Sequence, residues 1–154
     1  MEIAFDGGTW WAYVLVFFAA AVPVIEVLVV IPAGILAGLA PIPVVLLALA
    51  GNLATVAAVV IAGDRLAGWW RRRRPATDRA ETSRAVRGRQ LVQRWGVPGL
   101  GLLAPLTTGS HLAAVAALAT GAGQRRVLAW MTVGLVVWAV AVGVVTTLGV
   151  GWFR

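Results

Sequence analysis

Glu26 is the residue whose type and position most directly suggest chemistry in this 154-residue chain. It is the one acid in the apolar stretch AVPVIEVLVVIPAG (21–34), where it lies between Pro23 and Pro32. An ionised carboxylate at the centre of a membrane-spanning helix costs about 2.5–3.5 kcal/mol on insertion scales, so such a residue usually lies in a cavity or pairs with another group. A carboxyl group removed from water can exchange a proton near neutral pH, which makes Glu26 a candidate for proton coupling. The alternative is a neutral Glu26 hydrogen-bonded to backbone groups that the prolines leave without helical partners.

A second polar cluster, LTTGSH (106–111), interrupts a later apolar stretch. Backbone N–H groups and hydroxyls at a helix terminus can bind a phosphate or a carboxylate. His111 could donate to such an anion or pair with Glu26. Alternatively, the hydroxyls satisfy open backbone at a turn and the histidine packs near an interface. The candidate substrate-contacting residues are therefore Thr107, Thr108, Ser110 and His111.

Other chemistry finds little support in the sequence. The chain has no cysteine and one histidine, which excludes thiolate catalysis and predicts no metal site. There is no phosphate-binding loop, paired carboxylate or Ser–His–Asp set at membrane depth, so we expect neither an enzyme nor a bound cofactor. The residues expected to support the polar groups are Pro32, Asn52, Pro105 and Gly109; for Asn52, packing between helices is the favoured interpretation.

The composition is that of an integral membrane protein. Hydrophobic residues make up 60% of the chain, charged residues 12%, and the mean hydropathy is +0.89. A soluble domain is nearer half apolar, with about a quarter of its residues charged. The net charge of +7 comes from arginines that flank apolar runs, which favours anionic lipid over nucleic acid as the partner.

Four apolar blocks position the polar residues, at about 10–40, 41–63, 97–123 and 127–150. The second and fourth have the length of a membrane-spanning helix, about 20 residues. The first and third contain prolines, and backbone groups freed at membrane depth must be satisfied by protein or by a watered cavity. This pattern predicts two helical hairpins that enter and leave the membrane on the same side, although a plain bundle of four spans is the alternative.

The two halves of the chain correspond when the sequence is shifted by 83 residues. The shift aligns Gly38 with Gly121, Gly51 with Gly134, and Glu26 with Gly109. We therefore predict an all-α, single membrane domain over 1–154 made of two inverted repeats, about 9–63 and 95–150. Each repeat is a re-entrant hairpin followed by a transmembrane helix.

The arginines indicate which side faces the cytoplasm. Ten of the thirteen lie between Asp64 and Arg94, so this segment is predicted to be cytoplasmic and to include a basic amphipathic helix; a solvated basic linker is the alternative. Aromatic and basic residues at the end of the second block suit the headgroup level of the bilayer. These predicted membrane anchors are Trp69, Trp70, Arg71, Arg72, Arg73 and Arg74.

Two stretches, IEVLVVIPAGILAGLAPIPVVLLALAGN (25–52) and VQRWGVPGLGLLAPLTTGSHLAAVAALATG (92–121), resemble the bacterial small multidrug export proteins. That family is similar to the larger DedA-like (VTT-like) membrane proteins. The resemblance implies paired re-entrant hairpins, location in the bacterial inner membrane, and movement of polyprenyl phosphate carrier lipids, often coupled to protons. The positions that carry it are Glu26, Pro32, Gly38, Asn52, Gly96, Pro105 and Gly109.

The sequence thus predicts a proton-coupled, alternating-access transporter or flippase for an amphiphilic or lipid-phosphate substrate. Glu26 and the 107–111 cluster would meet near the bilayer midplane. The small number of spans predicts a homodimer packed through glycine-bearing faces. The alternatives are a non-transporting scaffold or accessory subunit and, less favoured, a channel.

Overall fold

The described part of the chain is entirely helical. The computed structural model describes residues 10–23, 25–73, 96–107 and 109–152, with the side chains of 64–73 excepted. Six helices lie within these ranges. They are α1 (Trp10–Ala21), α2 (Val27–Leu36), α3 (Pro41–Arg73), α4 (Gly96–Thr107), α5 (Ser110–Ala119) and α6 (Gln124–Trp152). The predicted all-helical class agrees with this structure.

Two helices are long and apolar enough to cross a membrane. They are the segment Pro41–Gly63 of α3, 23 residues with a hydropathy of 2.5, and α6, 29 residues with a hydropathy of 2.3. These match the two blocks that the sequence predicts as spans. The helix α3 continues to Arg73, ten residues beyond the predicted end of its block at 63.

The contacts divide the chain into two compact units, unit 1 (Met1–Thr55 with Leu135–Arg154) and unit 2 (Val56–Gly134). In unit 1, α1 and α2 pack against each other as a hairpin. A Cβ built on Gly34 of α2 would lie 3.4 Å from Val16 of α1 and 2.9 Å from Val44 of α3. The chain therefore reverses direction after α1 and again after α2, with three helices in direct contact.

A hydrogen bond joins the first turn of α1 to the residue before α3. The backbone N–H of Ala40, which precedes the first residue of α3, donates to the hydroxyl of Tyr13 in α1 at 3.1 Å. Helix α3 then begins at Pro41, where a proline is tolerated because the first helical N–H has no helical acceptor. Tyr13 thus ties the start of the long helix to α1.

In unit 2, α4 packs closely on the first half of α6. A Cβ on Gly101 of α4 would lie 3.0 Å from the Cβ of Trp130, and one on Gly134 would overlap the carbonyl oxygen of Gly101. A Cβ on Gly63 of α3 would lie 3.3 Å from Leu118 of α5. Small residues therefore stand where the backbones approach most closely.

The shift of 83 residues relates the helix boundaries of the two halves. It carries Val27–Leu36 onto Ser110–Ala119, and the first residue of α3 onto the first residue of α6. Gly38 and Gly121 follow α2 and α5 with φ of 90° and 86°. Each is followed by the same 6→1 hydrogen bond, Leu39 to Gly34 at 3.1 Å and Ala122 to Ala117 at 3.4 Å. Both helices thus end in a glycine-dependent turn of the Schellman type.

Alanine at Gly38 or at Gly121 is expected to lower the free energy of unfolding by about 1–2 kcal/mol, because a side chain is disfavoured at positive φ. Nothing lies within 4 Å of a Cβ built at either position, so the cost is conformational and should be similar at the two sites. Thermal unfolding in detergent measures it, with Gly123→Ala as the control because that site is also open. Unchanged midpoints for both variants would contradict the assigned turns.

The sequence predicts that prolines interrupt the first and third apolar blocks, and the structure agrees for only some of them. Pro23 lies in the turn between α1 and α2, as the interruption predicts. Pro32 lies inside α2 and does not end it, and Pro105 lies within the last turn of α4. The helix α2 ends instead at Leu36, because Gly38 two residues later adopts the conformation that closes the turn.

Some predicted features fall outside the described residues. The predicted basic amphipathic helix falls within 74–95, which is not among the described residues, and neither are Arg74 and Thr108. Residues 69–73 are described as helical backbone of α3 without their side chains. The anchoring roles of Trp69, Trp70 and Arg71–Arg73 therefore stay predictions.

Candidate functional site

Glu26 lies at the N-cap of α2, directly after the turn that follows α1. Its backbone is extended, with φ of −89° and ψ of 168°, and its carbonyl oxygen accepts the N–H groups of Val29 at 2.9 Å and Val30 at 3.2 Å. The side chain makes no capping hydrogen bond to the helix and is only 8% exposed. The chain therefore places a buried carboxyl group at the positive end of the α2 dipole.

The residues that follow Glu26 in α2 are apolar. Val27 and Ile31, which follow it in α2, are completely buried. No arginine, lysine or histidine occurs among the described residues of unit 1. Glu26 and Tyr13 are therefore the ionisable side chains among the described residues of unit 1.

Asn52 is the second buried polar side chain of unit 1. It is fully buried in the middle of α3, and its backbone carbonyl accepts the hydroxyl of Thr55 at 3.0 Å. Its neighbour Gly51 allows α3 to approach α1: a Cβ there would overlap the carbonyl oxygen of Phe17 and lie 3.3 Å from the N atom of Ala21. The predicted supporting residue is thus placed where α3 meets the end of α1.

Unit 2 contains a separate buried polar pair at the start of α5. Ser110 is completely buried and His111 is 5% exposed. The Ser110 Oγ and His111 Nδ1 atoms are 3.3 Å apart, within hydrogen-bond distance. Gly109 precedes them as the N-cap with φ of 84°, a conformation that favours glycine.

The threonine at the end of α4 does not share this burial. Thr107 is exposed, and its hydroxyl donates to the carbonyl oxygen of Leu103 at 2.9 Å. Of the hydroxyls in the 106–111 cluster, Ser110 is therefore the one that the described structure brings against His111. The sequence-based prediction grouped the hydroxyls of the 106–111 cluster at one helix break. It could not show that the Thr107 hydroxyl bonds back onto its own helix.

Ser110→Ala should lower the free energy of unfolding by about 0.5–1.5 kcal/mol, because it removes one partner of a buried hydrogen bond. Thr107→Val serves as the control, since its exposed hydroxyl bonds only locally; we expect a change within about 0.5 kcal/mol. Chemical denaturation in mild detergent measures both variants. Equal effects at the two positions would argue against a distinct Ser110–His111 pair.

An apolar groove of about 400 Å³ lies on unit 1 between α3 and α6. Three of its lining residues, Ile42, Leu46 and Leu148, are each at least 60% exposed. Thr147 contributes its one hydroxyl, which donates to the Gly143 carbonyl at 2.7 Å. The groove offers hydrocarbon contact. Its lining residues are Pro41, Ile42, Val45, Leu46, Val140, Gly143, Val144, Thr147 and Leu148.

Tyr13 and Gly51 have structural roles that sequence reasoning did not identify. Tyr13 is the only tyrosine of the chain, and its hydroxyl accepts the N–H of Ala40. A single phenol in an apolar helix was the available sign of a specific hydrogen bond. Gly51 stood out only for its alignment with Gly134. Among the described residues, no group of three or more His, Cys, Asp or Glu side chains could hold a metal ion.

Comparison with known protein families matches residues 26–141 to the family described as "Putative small multi-drug export protein". The match covers more than half of the chain, and it includes Glu26, Asn52 and the Ser110–His111 pair. Neither the curated proteins nor the solved structures provide a significant match. With its two apolar spans and this match, the chain is a helical membrane protein that belongs to the family of small multi-drug export proteins.

Proposed function

We propose that this protein is a secondary transporter of the bacterial inner membrane that moves an amphiphilic substrate and couples the movement to protons through Glu26. The single observation that carries the proposal is the buried carboxyl group of Glu26, 8% exposed at the N-terminus of α2. Acidic groups at membrane depth commonly form proton relays in transporters, because they gain and lose charge as access to water changes.

The lengths of the helices support a re-entrant architecture. Helices α1 and α2 have 12 and 10 residues, which correspond to about 18 and 15 Å. The hydrocarbon core of a bilayer is about 30 Å thick, so neither helix crosses it alone. α4 and α5 are similarly short. Interrupted helices with polar groups at their breaks are the usual way in which secondary transporters form substrate and ion sites.

The proposed topology places the two repeats in opposite orientations. The ten arginines between 64 and 94 hold that segment in the cytoplasm, and the re-entrant arrangement adds Arg125 and Arg126 to the same side. The alternative with four full spans places these two arginines outside. The proposed working unit is a homodimer, and the prediction that Glu26 and the 107–111 cluster meet at the midplane stays a prediction.

Labelling of introduced cysteines decides between these topologies. The chain has no native cysteine, so a single cysteine at Gln124 reports its side of the membrane directly. Inverted vesicles expose the cytoplasmic face of the membrane. The re-entrant arrangement requires that a membrane-impermeant maleimide label this cysteine only at that face. Labelling only at the opposite, periplasmic face would replace the hairpins by full spans.

The proposed substrate is an amphiphile with an anionic head, such as a polyprenyl phosphate. The Ser110–His111 pair offers a hydroxyl and an imidazole to an anionic group. The groove of unit 1 provides an almost wholly apolar surface for hydrocarbon. The resemblance to DedA-like proteins points to the same class of lipid phosphate.

Transport in proteoliposomes tests the proposal. Liposomes that contain a fluorescent polyprenyl phosphate are given a pH gradient, and movement between leaflets is followed by accessibility to an impermeant quencher. We expect movement that depends on the protein and is abolished by a protonophore. A fluorescent cationic amphiphile run in parallel reports whether a positively charged substrate is preferred. Absence of gradient-dependent movement for both probes would favour the non-transporting scaffold.

A further inference from the structure

Two buried polar side chains of unit 1, Glu26 and Asn52, lie at the same level of the fold. Helices α2 and α3 run antiparallel, because only four residues, 37–40, connect them. Gly34 faces Val44 across this pair, and a Cβ built on the glycine would lie 2.9 Å from Val44 Cγ1. Glu26 lies eight residues before Gly34 and Asn52 lies eight residues after Val44. Both are therefore about 12 Å from that contact in the same direction, at 1.5 Å per helical residue.

A second contact gives the same placement. Gly51 is the neighbour of Asn52. A Cβ built on Gly51 would overlap the carbonyl oxygen of Phe17 and lie 3.3 Å from the N atom of Ala21. Ala21 is the last residue of α1, and Glu26 follows it by five residues across the turn. Asn52 is thus beside the turn that carries Glu26, with α1, α2 and α3 converging there.

The chemistry of the two groups is complementary. An ionised carboxyl group only accepts hydrogen bonds, while the Asn side-chain amide donates two. Both residues take part in polar contacts, and both side chains are buried, Glu26 at 8% exposed and Asn52 at 0%. A carboxylate acceptor and an amide donor at the same level of neighbouring helices are chemically suited to each other.

The equivalent position in the second half of the sequence shows that packing alone does not require an amide. The shift of 83 residues carries Asn52 onto Leu135, which is also completely buried. It carries Glu26 onto Gly109, which has no side chain. The amide therefore occurs in the repeat that has the carboxyl group, and an apolar residue with the same branching at Cγ occurs in the repeat that lacks it.

We infer that Asn52 is a positioning residue for Glu26: its amide donates to the ionised carboxyl group and sets the pH at which Glu26 releases its proton. This inference rests on the proposed role of Glu26 in proton coupling. The other titratable group among the described residues of unit 1 is Tyr13, whose hydroxyl is bonded to the Ala40 N–H at the opposite end of α2. No described residue of α1, α2, α3 or α6 in this unit adds a charge at the level of Glu26.

Infrared difference spectroscopy of the full-length protein in liposomes tests the inference without a substrate. The carboxyl band that Glu26→Gln removes is assigned to Glu26 and titrated with pH. We expect Asn52→Leu to move the midpoint upward by about one pH unit, because loss of a donor disfavours the ionised carboxylate. Asn52→Ala should do the same and covers the case in which leucine prevents folding. Thr147→Val, which removes a hydroxyl bonded within α6, is the control and should leave the midpoint unchanged.

The outcomes separate this inference from the proposed function. A Glu26 band that titrates at the same pH in wild type and both Asn52 variants would overturn the role of Asn52 and leave proton coupling intact. An equal shift in Thr147→Val would also overturn it. A shift confined to the Asn52 variants supports the positioning role even if transport is not detected, in which case the proposed transport fails alone. A Glu26 group that does not titrate would overturn both.

Discussion

Transport driven by a pH gradient is expected to fall to the level of protein-free liposomes when Glu26 is replaced by glutamine. Glutamine keeps the size of a neutral glutamic acid and one of its hydrogen-bonding oxygens, but it cannot bind or release a proton. Glu26 is 8% exposed at the α2 N-terminus. The described residues of unit 1 contain no other acid that could take over this role. The measurement is the leaflet movement of the fluorescent polyprenyl phosphate in proteoliposomes.

The stability of the same variant distinguishes a functional acid from a structural one. A glutamine that replaces a neutral carboxyl group should change the free energy of unfolding by less than about 1 kcal/mol, within the range of one hydrogen bond. Thr120→Val, which removes a hydroxyl bonded only to the Ala117 carbonyl at the end of α5, is the control for handling and reconstitution. Full transport in Glu26→Gln would remove Glu26 from the mechanism. A strongly destabilised variant together with a wild type that shows no transport would favour the scaffold.

Gly51→Ala and Gly134→Ala are expected to be the most destabilising single-methyl substitutions in the described chain. A Cβ at Gly51 would overlap the backbone carbonyl of Phe17, and one at Gly134 would overlap that of Gly101. Backbone atoms cannot swing aside as a flexible side chain can, so two helices must separate. Overpacking of this kind typically costs about 1–3 kcal/mol, and more when the backbone must move. Thermal unfolding in detergent should show lower midpoints for both variants.

Gly149→Ala provides the control for these two substitutions. Gly149 also lies in α6, but nothing is within 4 Å of a Cβ built on it. The alanine there should be neutral or stabilise the helix by up to about 1 kcal/mol, since glycine is the poorer helix former. If all three variants unfold at the wild-type midpoint, the helices do not approach as closely as described.

Much of the helical layout could be predicted because its causes are local. The two spans follow from uninterrupted apolar length, and the interruption after α1 coincides with Pro23. The alignment of Gly38 with Gly121 and of Gly51 with Gly134 was available from the sequence. In the structure the first two are helix-ending turns at positive φ, and the second two are points of backbone contact. Glycine has these uses because it lacks a Cβ, so its positions can be recognised without knowledge of the packing.

The candidate site was harder to predict because it depends on register. The sequence singled out Glu26 and the 106–111 cluster, favoured packing for Asn52, and left a site role and a turn role equally open for the hydroxyl of Thr107. The contact of Gly34 with Val44 brings Asn52 level with Glu26, although many residues separate the two along the chain. The exposure of Thr107 and the burial of Ser110 depend on which way each side chain of an interrupted helix faces.

Residue types and their spacing are enough to establish that the chain is helical, that it enters a membrane, that its first long helix begins at Pro41, and that an acid lies among apolar residues. These properties follow from hydrophobicity, proline and glycine, which act over a few residues. Three other features required knowledge of the helix packing: Pro32 stays within a helix, Ser110 rather than Thr107 accompanies His111, and an amide lies level with the carboxyl group. Those outcomes depend on the lengths of the turns and on the closeness of helix contacts, which bring together residues that are distant along the chain.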